Sequence, residues 1–281
     1  SNLDSGYEIA AIFANPADGG LARELGVRQY SDYSRLNEVA EQNQVDKIVM
    51  ALEERRGKSP MEHLLDCKMK GLQIIDGVTF YEHLSGKILA QQTTPSWIIF
   101  SEGFRRYIPV LWSKRLIDIL FSSLGLILFA PFIVFLSAVI KATSPGPVFF
   151  KQTRVGRQGR LFQVVKFRTM HQNAEAATGA VWATEEDPRI TRVGRVLRKL
   201  RLDEIPQFWN VLLGEMSFVG PRPERPEFVE QLKDRLPYYG ERHSVKPGLT
   251  GWAQINYPYG ASEEDALRKL EYDLFYIKNL S

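Results

Sequence analysis

Residues Leu116 to Ile140 form one apolar stretch of 25 positions, closed by Lys114-Arg115 on one side and Lys141 on the other. A helix of that length, rising about 1.5 Å per residue, is enough to cross a hydrocarbon core of roughly 30 Å. Two residues complicate a simple crossing. Asp118 lies near one end, where an unpaired carboxylate is costly unless Lys114 or Arg115 neutralises it. Pro131 removes a backbone hydrogen bond and kinks the helix after about four turns. Both flanks are basic, and the positive-inside bias then puts both ends on the cytoplasmic side. A helix that enters one leaflet, breaks near Pro131 and returns satisfies these facts, provided protein groups cover the freed carbonyls. A straight span and the core helix of a soluble domain stand as alternatives.

A chain of 281 residues has room for about two domains. With 44% hydrophobic and 25% charged residues it has the composition of a folded protein, neither disordered nor polytopic. The net charge of +3 conceals an asymmetry. Residues 1–90 carry 10 Lys+Arg against 14 Asp+Glu, and residues 91–281 carry 26 against 19. The second part is therefore the one expected to meet an anionic partner. Cys67 is the single cysteine, which excludes an internal disulfide and fits a reducing compartment. Residues 1–15 lack the basic and apolar tracts of a signal peptide, and the strand-like run near Ser1 reads as the start of a trimmed chain.

Residues 1–90 alternate their hydrophobic period. Tyr7–Phe13, Lys47–Ala51 and Leu72–Ile75 read as strands, and Leu36–Gln42 and Pro60–Lys70 as helices. Such alternation predicts an α/β fold class, with a small Rossmann-like parallel layer as an accessory domain. Asn15-Pro-Ala-Asp-Gly-Gly20 follows the first strand without the G-x-G-x-x-G spacing of a dinucleotide site. A structural or regulatory role therefore competes with nucleotide binding. Residues 91–113 read as a linker, and 114–281 as a mainly α catalytic domain carrying the helix 116–140.

Two runs free of acid follow the apolar stretch. Lys151, Arg154, Arg157, Arg160, Lys166 and Arg168 form the first, in which Phe162–Phe167 alternates as a strand. Arg189, Arg192, Arg195, Arg198, Lys199 and Arg201 form the second. Arginines three apart on a helix fall about 60° short of a turn at each step, so they sweep around the cylinder and cannot all serve one site. A solvated face, or contacts with anionic headgroups, accounts for most of them. Nucleic acid is not expected as a partner, because no helix-turn-helix or RNP-type aromatic motif accompanies the charge.

Arg201 to Gly214 reads as a helix with its punctuation: Asp203 at the N-cap, Pro206 in the first turn and Gly214 just past the end. Acids at a helix start are ordinary dipole compensation. Two adjacent carboxylates there can also hold Mg²⁺ and leave an oxygen free for attack. Downstream, Gly220-Pro221-Arg222-Pro223 mounts an arginine between two prolines, suited to a bidentate phosphate contact or a solvent-facing turn. In Val245–Asn256, Thr250, Gln254 and Asn256 offer hydrogen bonds to a sugar or base, and Trp252 a packing anchor.

These motifs stand in order over about 140 residues: Lys114-Arg-Leu-Ile-Asp118, Ser144-Pro-Gly-Pro-Val-Phe-Phe150, Lys166-Phe-Arg-Thr-Met170, Leu202-Asp-Glu-Ile-Pro-Gln207, Gly220-Pro-Arg-Pro223 and Lys246-Pro-Gly-Leu-Thr-Gly-Trp252. Together they resemble the bacterial sugar transferases, monotopic phosphoglycosyl transferases that act on polyprenyl phosphate. The resemblance implies a reaction in which a UDP-sugar and undecaprenyl phosphate give undecaprenyl-diphospho-sugar and UMP, with Mg²⁺ as cofactor. This opens the assembly of an exopolysaccharide, capsule or O-antigen. It also implies a seat in the cytoplasmic leaflet of the bacterial inner membrane through a re-entrant helix.

Carried onto this sequence, Asp203 resembles the nucleophile and Glu204 its partner at the metal. Arg198 and Arg222 resemble phosphate contacts, Lys166 and Arg168 line the pocket, and Pro221 and Pro223 frame it. Lys114, Arg115, Asp118 and Pro131 belong to the membrane element. Larger members carry a four-helix membrane bundle before the α/β domain, and they are expected to pair as homodimers. One departure is Ala130-Pro131, where the family commonly has Ser-Pro. The competing class is a membrane-bound regulatory module, which gains nothing from the Asp203-Glu204 pair.

Overall fold

The computed structural model describes residues 6–15, 20–51, 60–105, 107–172, 174, 187–258, 260 and 262–280. The chain divides into two compact units, residues 1–88 and 89–281.

The first unit alternates strand and helix: β1 (Ala11–Phe13), α1 (Gly20–Leu25), β2 (Arg28–Tyr30), α2 (Leu36–Gln42), β3 (Lys47–Met50), α3 (Met61–Met69), β4 (Gln73–Asp76) and α4 (Gly77–Ser85). β1 pairs parallel with β2, and β3 parallel with β4. Among the described residues each strand has one neighbour, so the layer consists of two separate ladders and not one wound sheet. Leu36, Leu64 and Cys67 form the core with Phe13, Ile48, Met50, Leu72 and Ile74. Sequence periodicity missed α1, β2 and α4. α4 is fixed by its ends: Asp76 accepts the amide of Val78 at 2.9 Å, and Gly86 closes the helix at φ +64°. Residues 16–19 of the Asn15–Gly20 loop lie outside the described residues.

The second unit opens with α5 (Pro95–Phe100), inside the segment expected as a linker. Thr94 caps it by accepting the Trp97 amide at 3.2 Å. α6 (Ile108–Thr143) then runs 36 residues without interruption, with Pro131 inside it. The break foreseen at Pro131 is not a gap in the helix, since a proline removes one bond while its neighbours keep theirs.

One stripe of α6 faces the rest of the unit: Arg115, Asp118, Ser122, Gly125, Phe129, Phe132, Leu136 and Ile140, spaced three or four apart. Gly125 sits so close to the ring of Phe208 that a Cβ there would lie 2.7 Å from it. The opposite face exposes Trp112, Leu116, Ile117, Leu120, Leu124, Ile127, Leu128, Val134 and Phe135. That is a far larger uncovered apolar area than a water-facing helix carries.

Beyond α6, β5 (Phe149–Val155) and β6 (Leu161–Phe167) form an antiparallel hairpin, with Phe150 opposite Lys166. Then follow α7 (Arg192–Lys199), α8 (Gln207–Leu213), β7 (Ser217–Val219), α9 (Pro226–Arg235), β8 (Gly248–Thr250), α10 (Trp252–Asn256) and α11 (Glu263–Lys278). β7 pairs parallel with β8. A reciprocal box of Ser262 and Asp265 starts α11, which buries Leu267, Leu270, Leu274 and Ile277.

Candidate active site

The two faces of β6 do different work. Phe162 and Val164 pack with Val211 and Met216, so that face meets α8. Lys166 continues the same face by strand alternation and carries its ammonium to the start of α8. Phe167, on the other face, packs with Leu136, Ile140 and Leu197 of α6 and α7. Asn210 in α8 completes the free edge of β6. Its Oδ1 accepts the Val165 amide at 3.1 Å, and its Nδ2 donates to the Gln163 carbonyl at 2.7 Å. Its near-total burial was not foreseen, because nothing in the local pattern of Gln207–Leu213 marks a polar residue as a sheet partner.

Asp203 is not the N-cap expected of it. Leu202–Glu204 is a 3₁₀ turn entered through Arg201 in the left-handed region (φ +57°), and α8 begins only after Pro206. Gly214 ends α8 at φ +84°, as foreseen. The extra turn buries Asp203 and leaves Glu204 partly buried on the Lys166 side. Glu204 Oε1 accepts from Lys166 Nζ at 2.9 Å, and Arg222 Nη2 and Arg201 Nη1 stand 3.4 and 3.9 Å from it. Arg198 donates from Nε to Thr169 Oγ1 at 2.8 Å and lies near enough to Asp203 to act on its charge.

The two carboxylates are driven apart in acidity. Burial resists ionisation of Glu204, but Lys166 and Arg222 together outweigh it and hold the group at about 2. Burial raises Asp203 above the usual aspartate value, with Lys166 opposing and Glu204 adding to the rise. Burial and Arg222 lower Lys166, against the pull of Glu204. Asp203 takes no hydrogen bond from another side chain among the described residues, so its carboxylate is not tied to a cation as Oε1 of Glu204 is.

The remaining expected site residues fall into two groups. Pro221, Arg222 and Pro223 lie on the loop after β7 and deliver Arg222 to Glu204. Arg168 does not join them. It is buried, donating from Nη1 to the Pro145 carbonyl at 2.7 Å and from Nη2 to the Ser144 carbonyl and hydroxyl at 2.9 and 2.7 Å. The side chain is consumed in closing the Ser144-Pro-Gly-Pro147 turn. Arg192, Arg195 and Lys199 are exposed, and Arg189 pairs with Asp187 at 2.6 Å.

Asp118 also departs from expectation. Its Oδ1 accepts from Ser217 Oγ and from the Phe218 amide, each at 3.0 Å, so β7 satisfies it. Lys114 instead donates to the Val219 carbonyl at 2.9 Å.

Two adjacent carboxylates set among Lys166, Arg198, Arg201 and Arg222 form a charged cluster in the same unit as a long helix with an exposed apolar face. The family described as bacterial sugar transferase matches residues 110–281, and the chain belongs to it. It is 38% identical over 281 residues to a UDP-glucose:undecaprenyl-phosphate glucose-1-phosphate transferase of Klebsiella pneumoniae, covering 98% of this chain and 59% of that protein. It is 50% identical over 168 residues to a UDP-N-acetylgalactosamine-undecaprenyl-phosphate N-acetylgalactosaminephosphotransferase of Aeromonas hydrophila, covering 60% of this chain and 40% of that protein. Similarity to the exopolysaccharide production protein PSS of Rhizobium leguminosarum bv. phaseoli is 41% over 176 residues, covering 60% of this chain and 86% of that protein. The chain thus spans about 60% or less of the first two relatives.

Proposed function

We propose that this chain transfers a sugar-1-phosphate from a UDP-sugar to undecaprenyl phosphate and releases UMP. The observation that carries the reading is the adjacent pair of buried Asp203 and partly buried Glu204, with Lys166, Arg198, Arg201 and Arg222 around it. The excess of cations suits a diphosphate, whose transfer is mostly positioning and charge neutralisation.

In the first displacement an Asp203 oxygen attacks the phosphorus next to the sugar. The bond from that phosphorus to the oxygen shared with UMP breaks, and UMP leaves with the electron pair. In the second, an oxygen of undecaprenyl phosphate attacks the same phosphorus and the aspartyl oxygen leaves as carboxylate. The covalent intermediate divides one transfer into two of like type. Glu204 is held ionised by Lys166 and Arg222, so Asp203 is the carboxylate left for bond formation. Arg222 and Arg198 take phosphoryl oxygens.

Magnesium fits the donor set in one form. No cluster of three metal-binding side chains occurs among the described residues. Mg²⁺ characteristically takes one or two carboxylates and completes its shell with phosphate and water. Asp203 and Glu204 would hold it, and it would supply neutralisation of the diphosphate.

The long helix supports a re-entrant seat in the cytoplasmic leaflet of the inner membrane. Both Arg115 and Ile140 pack on the same compact unit, and the free face between them is apolar. A perpendicular crossing would carry that unit, with its charged centre, into hydrocarbon. The alternating ladders of residues 1–88 fit a Rossmann-like accessory layer.

The test is Asp203→Asn in membranes supplied with UDP-N-acetylgalactosamine or UDP-glucose, undecaprenyl phosphate and Mg²⁺. UMP release should vanish while membrane association persists. Normal UMP release by the variant would rule out the nucleophile.

A further inference from the structure

We propose that Arg242 and Asp273 are positioning residues that fix Arg222 at the site from the C-terminal helix. The proposal rests on the reading of Arg222 as a phosphate contact. The loop bearing Arg222 has every carbonyl from residue 221 to 224 occupied by a different donor. The Gly248 amide takes that of Pro221 at 2.9 Å, and Arg242 Nη2 takes that of Arg222 at 3.0 Å. Arg154 Nη1 takes that of Pro223 at 3.0 Å, and the Val155 amide takes that of Glu224 at 2.9 Å. Pro221 and Pro223 fix φ on either side, so the orientation of the peptide between them decides where the Arg222 guanidinium points.

Arg242 is itself held from behind. The same Nη2 donates to Asp273 Oδ2 at 2.8 Å, and Nη1 donates to the Tyr239 hydroxyl at 2.8 Å. All three side chains are buried. A relay therefore runs from α11 through Asp273 and Arg242 to the Arg222 carbonyl, and from the Arg222 guanidinium to Glu204 at 3.4 Å. Stability alone is a weak reason to bury an ion pair, because apolar side chains of similar volume do as well or better. What an apolar pair cannot do is direct a carbonyl.

The experiment is a mutant cycle on the full chain in membranes, read as UMP release. Asp273→Asn in the wild-type background should lower kcat/KM about tenfold, and in an Arg222→Ala background by less than about twofold, because the guanidinium it positions is gone. Equal losses in both backgrounds would overturn the relay and leave Asp273 a general stabiliser. Tyr239→Phe, which removes one hydroxyl, replaces Asp273→Asn in the cycle if that variant does not fold.

Hydrogen–deuterium exchange across residues 219–228 provides a readout independent of activity. It should accelerate in Asp273→Asn and in Tyr239→Phe while peptides of α8 keep their protection. Unchanged exchange in that loop defeats the clamp. A wild-type chain that releases no UMP defeats the proposed reaction instead, and leaves the exchange result to judge the clamp.

Discussion

Arg115, in α6 just before its apolar stretch, donates from its two terminal nitrogens to the carbonyls of Val211 at 2.7 Å and Leu212 at 2.8 Å. Those carbonyls belong to the last turn of α8, where the helix dipole is negative; that of Val211 also takes the Gly214 amide at 3.0 Å, and that of Leu212 relies on Arg115. The helix that begins just after Asp203 and Glu204 is thus closed by a residue of the apolar helix. Asp118, one turn further on, fastens the strand that follows α8. The apolar segment and the candidate site are parts of one packed structure.

Replacing Arg115 by Met removes two charge-assisted hydrogen bonds and uncovers the Leu212 carbonyl, while that of Val211 keeps the Gly214 amide at 3.0 Å. The expected loss of stability is about 2–4 kcal/mol. Arg115→Lys keeps the charge without the fork and should recover about half of that loss. Thermal unfolding of the detergent-solubilised chain measures both. Equal melting temperatures for the wild type and Arg115→Met would refute the capping role.

What could be read from sequence was whatever neighbours along the chain reveal. Asp203 and Glu204 stood out because they are adjacent, and Lys166 because it lies in an acid-free strand. The partners of Asp118 could not be read, since Ser217 and Phe218 lie about 100 residues away. Arg168 was expected in the pocket, but its guanidinium is taken up by Ser144 and Pro145, more than 20 residues away, a contact that the alternation of β6 does not reveal. The Arg242-Asp273 pair carried no local signal at all. Each of its members looks like an ordinary surface charge until the fold brings α11 against the 3₁₀ segment Tyr239–Ser244.

Gly146 of the Ser144-Pro-Gly-Pro147 turn and Gly159 in the connection between β5 and β6 offer a contrast. Gly146 has φ +113°, and a Cβ there would strike the Arg168 guanidinium. Gly159 has φ +75° with open space around it. Gly159→Ala should cost on the order of 1 kcal/mol from backbone conformation alone. Gly146→Ala should cost about 2–4 kcal/mol, because the backbone strain comes with displacement of a buried hydrogen-bonded arginine. Chemical denaturation of the two variants side by side checks the order.

His243 makes stability depend on pH. Burial, with Arg242 and Lys233 adding repulsion, pushes its imidazole down to about 4 from the usual 6.5. The unfolded chain therefore takes up this proton between pH 6.5 and 4 while the folded chain refuses it, so stability from this group falls as pH drops through that window. The loss by pH 4 is on the order of 3 kcal/mol. His243→Gln has no such proton to refuse. Urea unfolding at pH 7 and pH 4.5 should show the variant losing less stability than the wild type over the same interval.

The course of the apolar helix can be tested from its ends. Ser113 and Thr143 are exposed and lie just outside the residues that pack on the second unit. A straight span would put them on opposite faces of the bilayer, and a re-entrant helix on the same face. In a Cys67→Ser background, Ser113→Cys and Thr143→Cys are treated separately with a membrane-impermeant maleimide. Both should label in inverted inner-membrane vesicles and neither in right-side-out vesicles. The physical reason is the continuous stripe from Arg115 to Ile140: it holds both ends to one unit, and ends held to one unit cannot face two aqueous compartments. Labelling of one position from each side would mean that the stripe parts from the unit in a bilayer, and the helix would then have to be read as a span.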